Sequence, residues 1–200
     1  MNALILVDVQ QGFLHGPTAG VMTEKLHQLV GERGLFDRIV ATRYGNSPDS
    51  NLSRLKNWRR LQTGAERAIP ADILARVDRV VDKSTYSGCT PVLWEDLVRH
   101  NGGNPPEQVF LAGVDIGCCV METAADFFEA GVRPYVLTAY CWAAGGPAYY
   151  DAAILCLHNL IGRRHLIHAD PIRTRGQLER LTRWAKPPYG PDRPGSASRL

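Results

Sequence analysis

The chain has 200 residues, of which 44% are hydrophobic and 22% are charged, and its formal net charge is +3. This length is enough for one well-buried core, and the near balance of basic and acidic residues gives no reason to expect a nucleic acid or a membrane surface as a partner. The five cysteines show no C-x-x-C spacing, which argues against a disulfide framework and against a structural zinc site.

Short β-branched runs alternate with longer helical patterns along the chain. The predicted strands are Ala3–Val7, Phe36–Ala41, Val77–Val81, Val109–Ala112, Pro134–Thr138 and His165–Ile167. The predicted helices lie near Met22–Gly31, Pro91–His100, Cys119–Ala130, Pro147–Ile161 and Ile172–Trp184. Such alternation is typical of a parallel sheet with helices on both faces. We therefore predict one α/β domain over residues 1–185, a three-layer α/β/α sandwich with a six-stranded, mainly parallel sheet.

Two segments fall outside this alternation. The stretch from Tyr44 to Ile69 is polar and shows at most one helix, near Leu52–Leu61, and an excursion of this length is often a functional lid or an assembly surface. From Lys186 the composition changes to "KPPYGPDRPGSASRL", which predicts a flexible tail over residues 186–200. No apolar run approaches the roughly 20 residues that cross a bilayer. The apolar run at the start of the sequence ends at Asp8 and is too short for a signal peptide. We expect a cytoplasmic protein.

Chemically reactive side chains follow three of the predicted strands. Asp8 comes after the first strand, Lys83 after the third, and the Cys118–Cys119 pair after the fourth. The carboxyl ends of parallel strands share one crevice, so we expect a carboxylate, an ammonium and a thiol to meet there. A helix N-terminus and a nearby lysine both favour a thiolate, and a carboxylate can accept a proton and return it.

Each of these residues also has an ordinary structural interpretation. An aspartate at a strand end is often a turn former, a lysine there is usually a solvated charge, and a cysteine is often a small buried hydrophobe. The occurrence of a carboxylate, an ammonium and a thiol at equivalent strand ends favours a catalytic site over three unrelated structural roles.

Three motifs resemble the isochorismatase-like cysteine hydrolases, which include nicotinamidases and enzymes of the N-carbamoylsarcosine amidase type. They are "LILVDVQQGFL" at Leu4–Leu14, "VVDKSTYSGC" at Val80–Cys89 and "AGVDIGCCVMETAADFFEAG" at Ala112–Gly131. The family pattern Gly-Val, one residue, Thr-Asp, one residue, Cys-Val implies that Cys119 is the nucleophile. By the same resemblance Asp8 is the acid and base, and Lys83 completes the triad.

The resemblance also implies a mechanism and an assembly. A cis peptide is expected between Val114 and Asp115, and the backbone N–H groups of Asp115 and Cys119 are expected to form an oxyanion hole. The implied reaction is hydrolysis of a small amide through a thioester, without a redox cofactor. Members of this family are usually homo-oligomers, so a dimer or tetramer is expected.

The sequence departs from the family pattern at two places. Nicotinamidases carry metal-binding histidines after the second strand, but here that region reads "TRYGNSPDSN", so no metal is expected and nicotinamide is not the expected substrate. Ile116-Gly117 replaces the usual Thr-Asp. Four side chains, Phe13, Arg43, Tyr86 and Tyr140, are predicted to line the substrate pocket, with Arg43 placed to hold a carboxylate. Two alternatives stay open: cleavage of a vinyl ether, as in isochorismatase itself, and a redox or non-catalytic role for the Cys118–Cys119 pair.

Overall fold

The structure, a computed structural model, describes residues 1–15, 17–32 and 34–183. Its strands are β1 (Ala3–Val7), β2 (Arg38–Tyr44), β3 (Arg79–Lys83), β4 (Gln108–Val114), β5 (Arg133–Trp142) and β6 (Leu166–Ile167). Its α-helices are α1 (Pro17–Gly31), α2 (Asn51–Leu55), α3 (Gly64–Arg67), α4 (Ala71–Leu74), α5 (Pro91–His100), α6 (Cys119–Glu129), α7 (Pro147–Leu160) and α8 (Arg175–Thr182). The predicted tail over residues 186–200 lies outside the described residues.

The six strands form one sheet in the order β3-β2-β1-β4-β5-β6, and every strand pair is parallel. The central strand β1 is buried along its whole length, because its side chains alternate between two hydrophobic cores. Ala3, Ile5 and Val7 pack under α5, α6 and α7, whereas Leu4 and Leu6 pack under α1 and α8. The predicted three-layer α/β fold is confirmed.

The predicted elements differ from the structure at the strand ends, at the start of α1, which begins at Pro17 rather than near Met22, in α4, which was not predicted, and in the excursion. Strand β2 continues to Tyr44 and β5 continues to Trp142, three and four residues beyond their predicted ends. The excursion holds two short helices, α2 and α3, where at most one was predicted. No helix among the described residues is both long enough and apolar enough to cross a membrane.

The backbones of β1 and β4 approach very closely at one position near the ends of the strands. Gly113 pairs with Val7 and has a φ of +125°, which favours glycine. A Cβ at Gly113 would lie 2.1 Å from the carbonyl oxygen of Val7. Only a residue without a side chain therefore fits between the two strands at this position. Val7 directly precedes Asp8, and Gly113 lies two residues before Asp115.

Candidate active site

Asp8 begins the cluster at the carboxyl end of the sheet. It follows β1 directly, has a φ of +52° and is fully buried. Thr42 on the neighbouring strand β2 holds it twice: the backbone N–H of Asp8 donates to Thr42 Oγ1 at 3.2 Å, and Thr42 Oγ1 donates to Asp8 Oδ1 at 2.7 Å. The other carboxylate oxygen, Oδ2, accepts no hydrogen bond of good geometry within the described residues. Asp8 is therefore held rigidly through one oxygen and keeps lone pairs on the other.

Lys83, the last residue of β3, reaches across β2 to this free oxygen. Its Nζ lies 2.7 Å from Asp8 Oδ2, and both side chains are fully covered. The ammonium also donates to the carbonyl oxygens of Thr85 at 2.9 Å and Tyr86 at 2.8 Å, and it lies 5.1 Å from the centroid of the Tyr44 ring. A buried charge needs such a complete set of partners to offset its desolvation. Lys83 is thus a fixed positive charge beside Asp8, as the sequence predicts.

Cys119 is the first residue of α6, and only 5% of its surface is exposed. Burial raises the pKa of its thiol well above the ordinary value, the Asp8 carboxylate raises that pKa further, and Lys83 lowers it by a smaller amount. These effects together favour the neutral thiol of Cys119 over the thiolate. Lys83 thus acts on this pKa in the direction that the sequence predicts, but burial and the charge of Asp8 raise the pKa by more than Lys83 lowers it.

The turn between β4 and α6 carries the backbone donors expected to form the oxyanion hole. The peptide bond between Val114 and Asp115 is cis, as the resemblance implies. The carbonyl oxygen of Asp115 accepts from the N–H groups of Cys118 and Val120, each at 3.0 Å. Within the described part of the chain, the N–H groups of Asp115 and Cys119 donate to no other residue. Both donors are thus available, and their assignment to an oxyanion hole stays a prediction.

The side chain of Asp115 has a second role that sequence reasoning missed. Its Oδ1 accepts from the N–H of Gly117 and its Oδ2 accepts from the N–H of Ala144, both at 2.8 Å. Ala144 lies in the loop between β5 and α7, so this carboxylate joins two loops at the rim of the site. In the sequence, the one feature that pointed to this role was that Asp115 directly follows a strand. Many residues with a purely structural role occupy the same kind of position.

A cavity of about 170 Å³ opens over the thiol of Cys119. Four of its ten lining residues are aromatic: the rings of Phe13 and Trp58 stack with centroids 6.1 Å apart, the ring of Tyr44 lies 6.2 Å from that of Trp58, and Tyr86 is the fourth. The complete lining is Phe13, Tyr44, Leu52, Lys56, Trp58, Tyr86, Asp115, Cys118, Cys119 and Ala144. The arrangement suits a small, largely apolar molecule with one reactive carbonyl.

The excursion forms one wall of this cavity, through Leu52, Lys56 and Trp58. The buried side chain of Asn46 holds it in place, because its Nδ2 donates to the carbonyl oxygens of Trp58 at 2.9 Å and Arg60 at 3.0 Å. The sequence predicted that this segment is a lid or an assembly surface but identified none of these three lining residues. Hydrophobic periodicity carries no information about them, since the helices here have five residues or fewer.

Two of the four predicted pocket residues lie elsewhere. Phe13 and Tyr86 line the cavity, but Arg43 pairs with Asp82 on the neighbouring strand at 2.7 Å, and the hydroxyl of Tyr140 accepts from the N–H of Ile172 at 2.9 Å. The physical reason is the greater length of β2 and β5. Both residues lie inside a strand rather than after it, so strand alternation turns Arg43 away from the face of Thr42 and Tyr44.

The side chains at this cavity do not fit a metal ion. Among residues 1–15, 17–32 and 34–183, no group of three or more His, Cys, Asp or Glu side chains is arranged to hold one. Asp115 is the carboxylate among the residues that line the cavity, and both of its oxygens already accept backbone hydrogen bonds. A stable first-row metal site needs several free ligands.

Comparison with known proteins gives one family and several similar structures. A model of the isochorismatase domain matches residues 2–162. The yeast nicotinamidase is 18% identical, with a TM-score of 0.70 over 84% of this chain and 100% of its own. The pyrazinamidase of Pyrococcus horikoshii in complex with zinc is 23% identical, with a TM-score of 0.67 over 83% and 97% of the two chains. An isochorismatase-like hydrolase from Alkaliphilus metalliredigens is 15% identical, with a TM-score of 0.68 over 83% and 93%. No curated protein matches.

Proposed function

Because this chain belongs to the isochorismatase family, we propose that it is a hydrolase that cleaves an amide-type C–N bond of a small molecule through a thioester on Cys119. The observation that carries the proposal is the buried pair of Asp8 and Lys83, 2.7 Å apart, beside a cysteine that lines a small cavity. The nicotinamidase and pyrazinamidase among the similar structures are named for amide hydrolysis, which supports the same class of reaction.

In the first half of the proposed cycle, Asp8 acts as the general base. The neutral thiol of Cys119 gives its proton to Asp8 as the sulfur attacks the amide carbonyl, so the thiolate forms only when substrate is present. Lys83 keeps its proton and its positive charge, which compensates for the negative charge of Asp8 before the transfer. The C–N bond then breaks, and the proton on Asp8 passes to the departing nitrogen. An acyl group remains on Cys119 as a thioester.

In the second half, water replaces the amine. Asp8 takes a proton from the water molecule as the water oxygen attacks the thioester carbonyl. The C–S bond then breaks, and the thiolate of Cys119 recovers the proton from Asp8. The cycle consumes one water and returns every side chain to its first state. In both halves the carbonyl oxygen becomes an oxyanion, and the free N–H groups of Asp115 and Cys119 are the donors proposed to stabilise it.

The test is a screen of small amides for ammonia release, with acid-quenched protein examined by peptide mass spectrometry. We expect at least one amide to be hydrolysed, with an acyl adduct on Cys119 and no activity in the Cys119→Ala variant. Cys156→Ala is the matched control, since Cys156 is an exposed thiol on α7 outside the cavity. Activity that persists in Cys119→Ala, or an adduct on Cys118, would overturn the assignment of the nucleophile.

A further inference from the structure

The charged side chains at the cavity include Lys83, Asp115 and Lys56, and the first two have their hydrogen-bonding capacity occupied. Lys83 forms an ion pair with Asp8 and donates hydrogen bonds to the carbonyl oxygens of Thr85 and Tyr86. Both oxygens of the Asp115 carboxylate accept backbone hydrogen bonds. The third, Lys56, follows the last residue of α2 and lines the cavity, but it forms no ion pair or hydrogen bond within the described ranges.

The charge of Lys56 reaches the reactive end of the cavity. Burial raises the pKa of the neighbouring Cys118 thiol and Asp115 raises it further, whereas Lys56 lowers it. Lys56 lines the same cavity as Cys118 and the adjacent Cys119. Because the three donors of an ammonium are satisfied best by anionic oxygens, an anionic group on a bound molecule would find its partner here.

The neighbouring surface groove is not a favourable binding site for an anion. It shares Tyr44, Leu52 and Tyr86 with the cavity, but its charged side chains are the carboxylates of Asp49 and Glu122. These two carboxylates repel an anion, so they leave the side of the cavity at Lys56 as the favourable one.

The volume of the cavity limits the size of the molecule. Its value of about 170 Å³ is close to the roughly 150 Å³ of an engineered cavity that holds benzene. One ring or a chain of a few carbons therefore fills it, and the aromatic walls of Phe13 and Trp58 favour a flat or apolar body between the two ends.

Building on the proposed function, we infer that the substrate is a small amide whose acyl group carries an anionic substituent, a carboxylate or its equivalent, held by Lys56. The scissile carbonyl lies at Cys119, an apolar body lies against the aromatic wall, and the anion lies at the excursion. Lys56 takes the role that the sequence had assigned to Arg43, which pairs with Asp82 instead.

The experiment compares amides that share a skeleton and differ in charge. Succinamate, butanamide and 4-aminobutanamide form an aliphatic series, and 4-carbamoylbenzoate, benzamide and 4-(aminomethyl)benzamide form an aromatic one. We expect kcat/KM in the wild-type protein to follow the order anion, neutral, cation. In Lys56→Met the advantage of the anion should fall by roughly tenfold, mainly through KM, which is the effect of one charge-assisted hydrogen bond. Lys56→Arg should retain it.

Arg54→Met is the matched control, because Arg54 is an exposed cation on α2, two residues before Lys56, and does not line the cavity. A general effect of surface charge would appear equally in Arg54→Met, and that result would overturn the inference. So would a wild-type protein that shows no preference for the anionic amides, or a preference that Lys56→Met leaves intact.

A binding measurement separates the failure of this inference from the failure of the proposed function. Calorimetric titration of Cys119→Ala with succinamate, butanamide and 4-aminobutanamide needs no turnover. Tighter binding of succinamate that is lost in the Cys119→Ala/Lys56→Met double variant supports the role of Lys56, even if the wild-type protein hydrolyses none of the amides. Equal binding of all three ligands contradicts it, even if hydrolysis is observed.

Discussion

The cluster of Asp8, Lys83 and Cys119 differs from the excursion opposite it in how its residues are held. The cluster residues lie at the ends of paired strands and at the start of a helix, and they are buried. The excursion presents Lys56 directly after the five-residue helix α2, and it is attached by the hydrogen bonds of Asn46 and by the packing of Trp58 on Phe13 and Tyr44. The comparison teaches that, in the proposed enzyme, bond cleavage belongs to the sheet and substrate choice to an irregular segment held by side-chain contacts.

The largest expected effect is on catalysis at the sheet. Asp8→Asn preserves the shape of the side chain but provides no carboxylate to accept the proton of Cys119, so kcat should fall by roughly 10²–10⁴-fold. Steady-state kinetics on the best amide from the screen measures this. Asp72→Asn is the control, since Asp72 is an exposed carboxylate on α4. Equal kcat in Asp8→Asn and the wild type would show that Asp8 is not the base.

The next effect concerns the stability of the sheet end. Lys83→Met leaves the buried carboxylate of Asp8 without its ion partner, so the free energy of unfolding should fall by about 3–5 kcal/mol. Urea denaturation followed by fluorescence measures it. The double variant Asp8→Asn/Lys83→Met should recover part of the loss, because the unpaired buried charge is then removed as well. Two single-variant losses that simply add would contradict coupling between these side chains.

A smaller effect is expected in the excursion. Asn46→Ala removes the donors to Trp58 and Arg60, which should lower the free energy of local opening by about 1–3 kcal/mol. Hydrogen exchange of residues 50–62 should accelerate while the amides of β1 and β4 keep their protection, and KM should rise more than kcat falls. Asn159→Ala on the exposed face of α7 is the control. Equal acceleration in the sheet and the excursion would show that the two regions unfold together.

The smallest effect expected is on the reactivity of the thiols. A thiolate is alkylated and a thiol is not, so a raised pKa delays labelling to higher pH, and each unit of pKa is a factor of about ten. Iodoacetamide should label buried Cys119 at least about tenfold more slowly than exposed Cys156 at pH 7.5, with the rate for Cys119 still rising above pH 8.5. In Lys83→Met the rise should move to still higher pH. Peptide mass spectrometry of both cysteines measures this, and fast labelling of Cys119 near pH 7 would show a resting thiolate.

The sequence was informative where side chains follow the ends of regular elements. Asp8, Lys83 and Cys119 could be placed together because strand and helix periodicity locates strand ends to within a few residues. The same small error misplaced Arg43 and Tyr140, because each lies inside a strand that continues past its predicted end. Lys56 and Trp58 could not be identified at all, since their positions depend on the folding of an irregular segment that has no repeating pattern.

The absence of a side chain at Gly113 has a consequence for how this fold could be re-engineered. Strand β1, which leads to Asp8, and strand β4, which leads to the turn before Cys119, are in backbone contact at Gly113. No side chain lies between them at this position, so a rotamer change there cannot shift one strand against the other. A foreign segment grafted in place of the excursion would change the wall of the cavity and leave this contact intact. Variant libraries that aim at a new substrate should therefore change residues of the excursion and keep Gly113 unchanged.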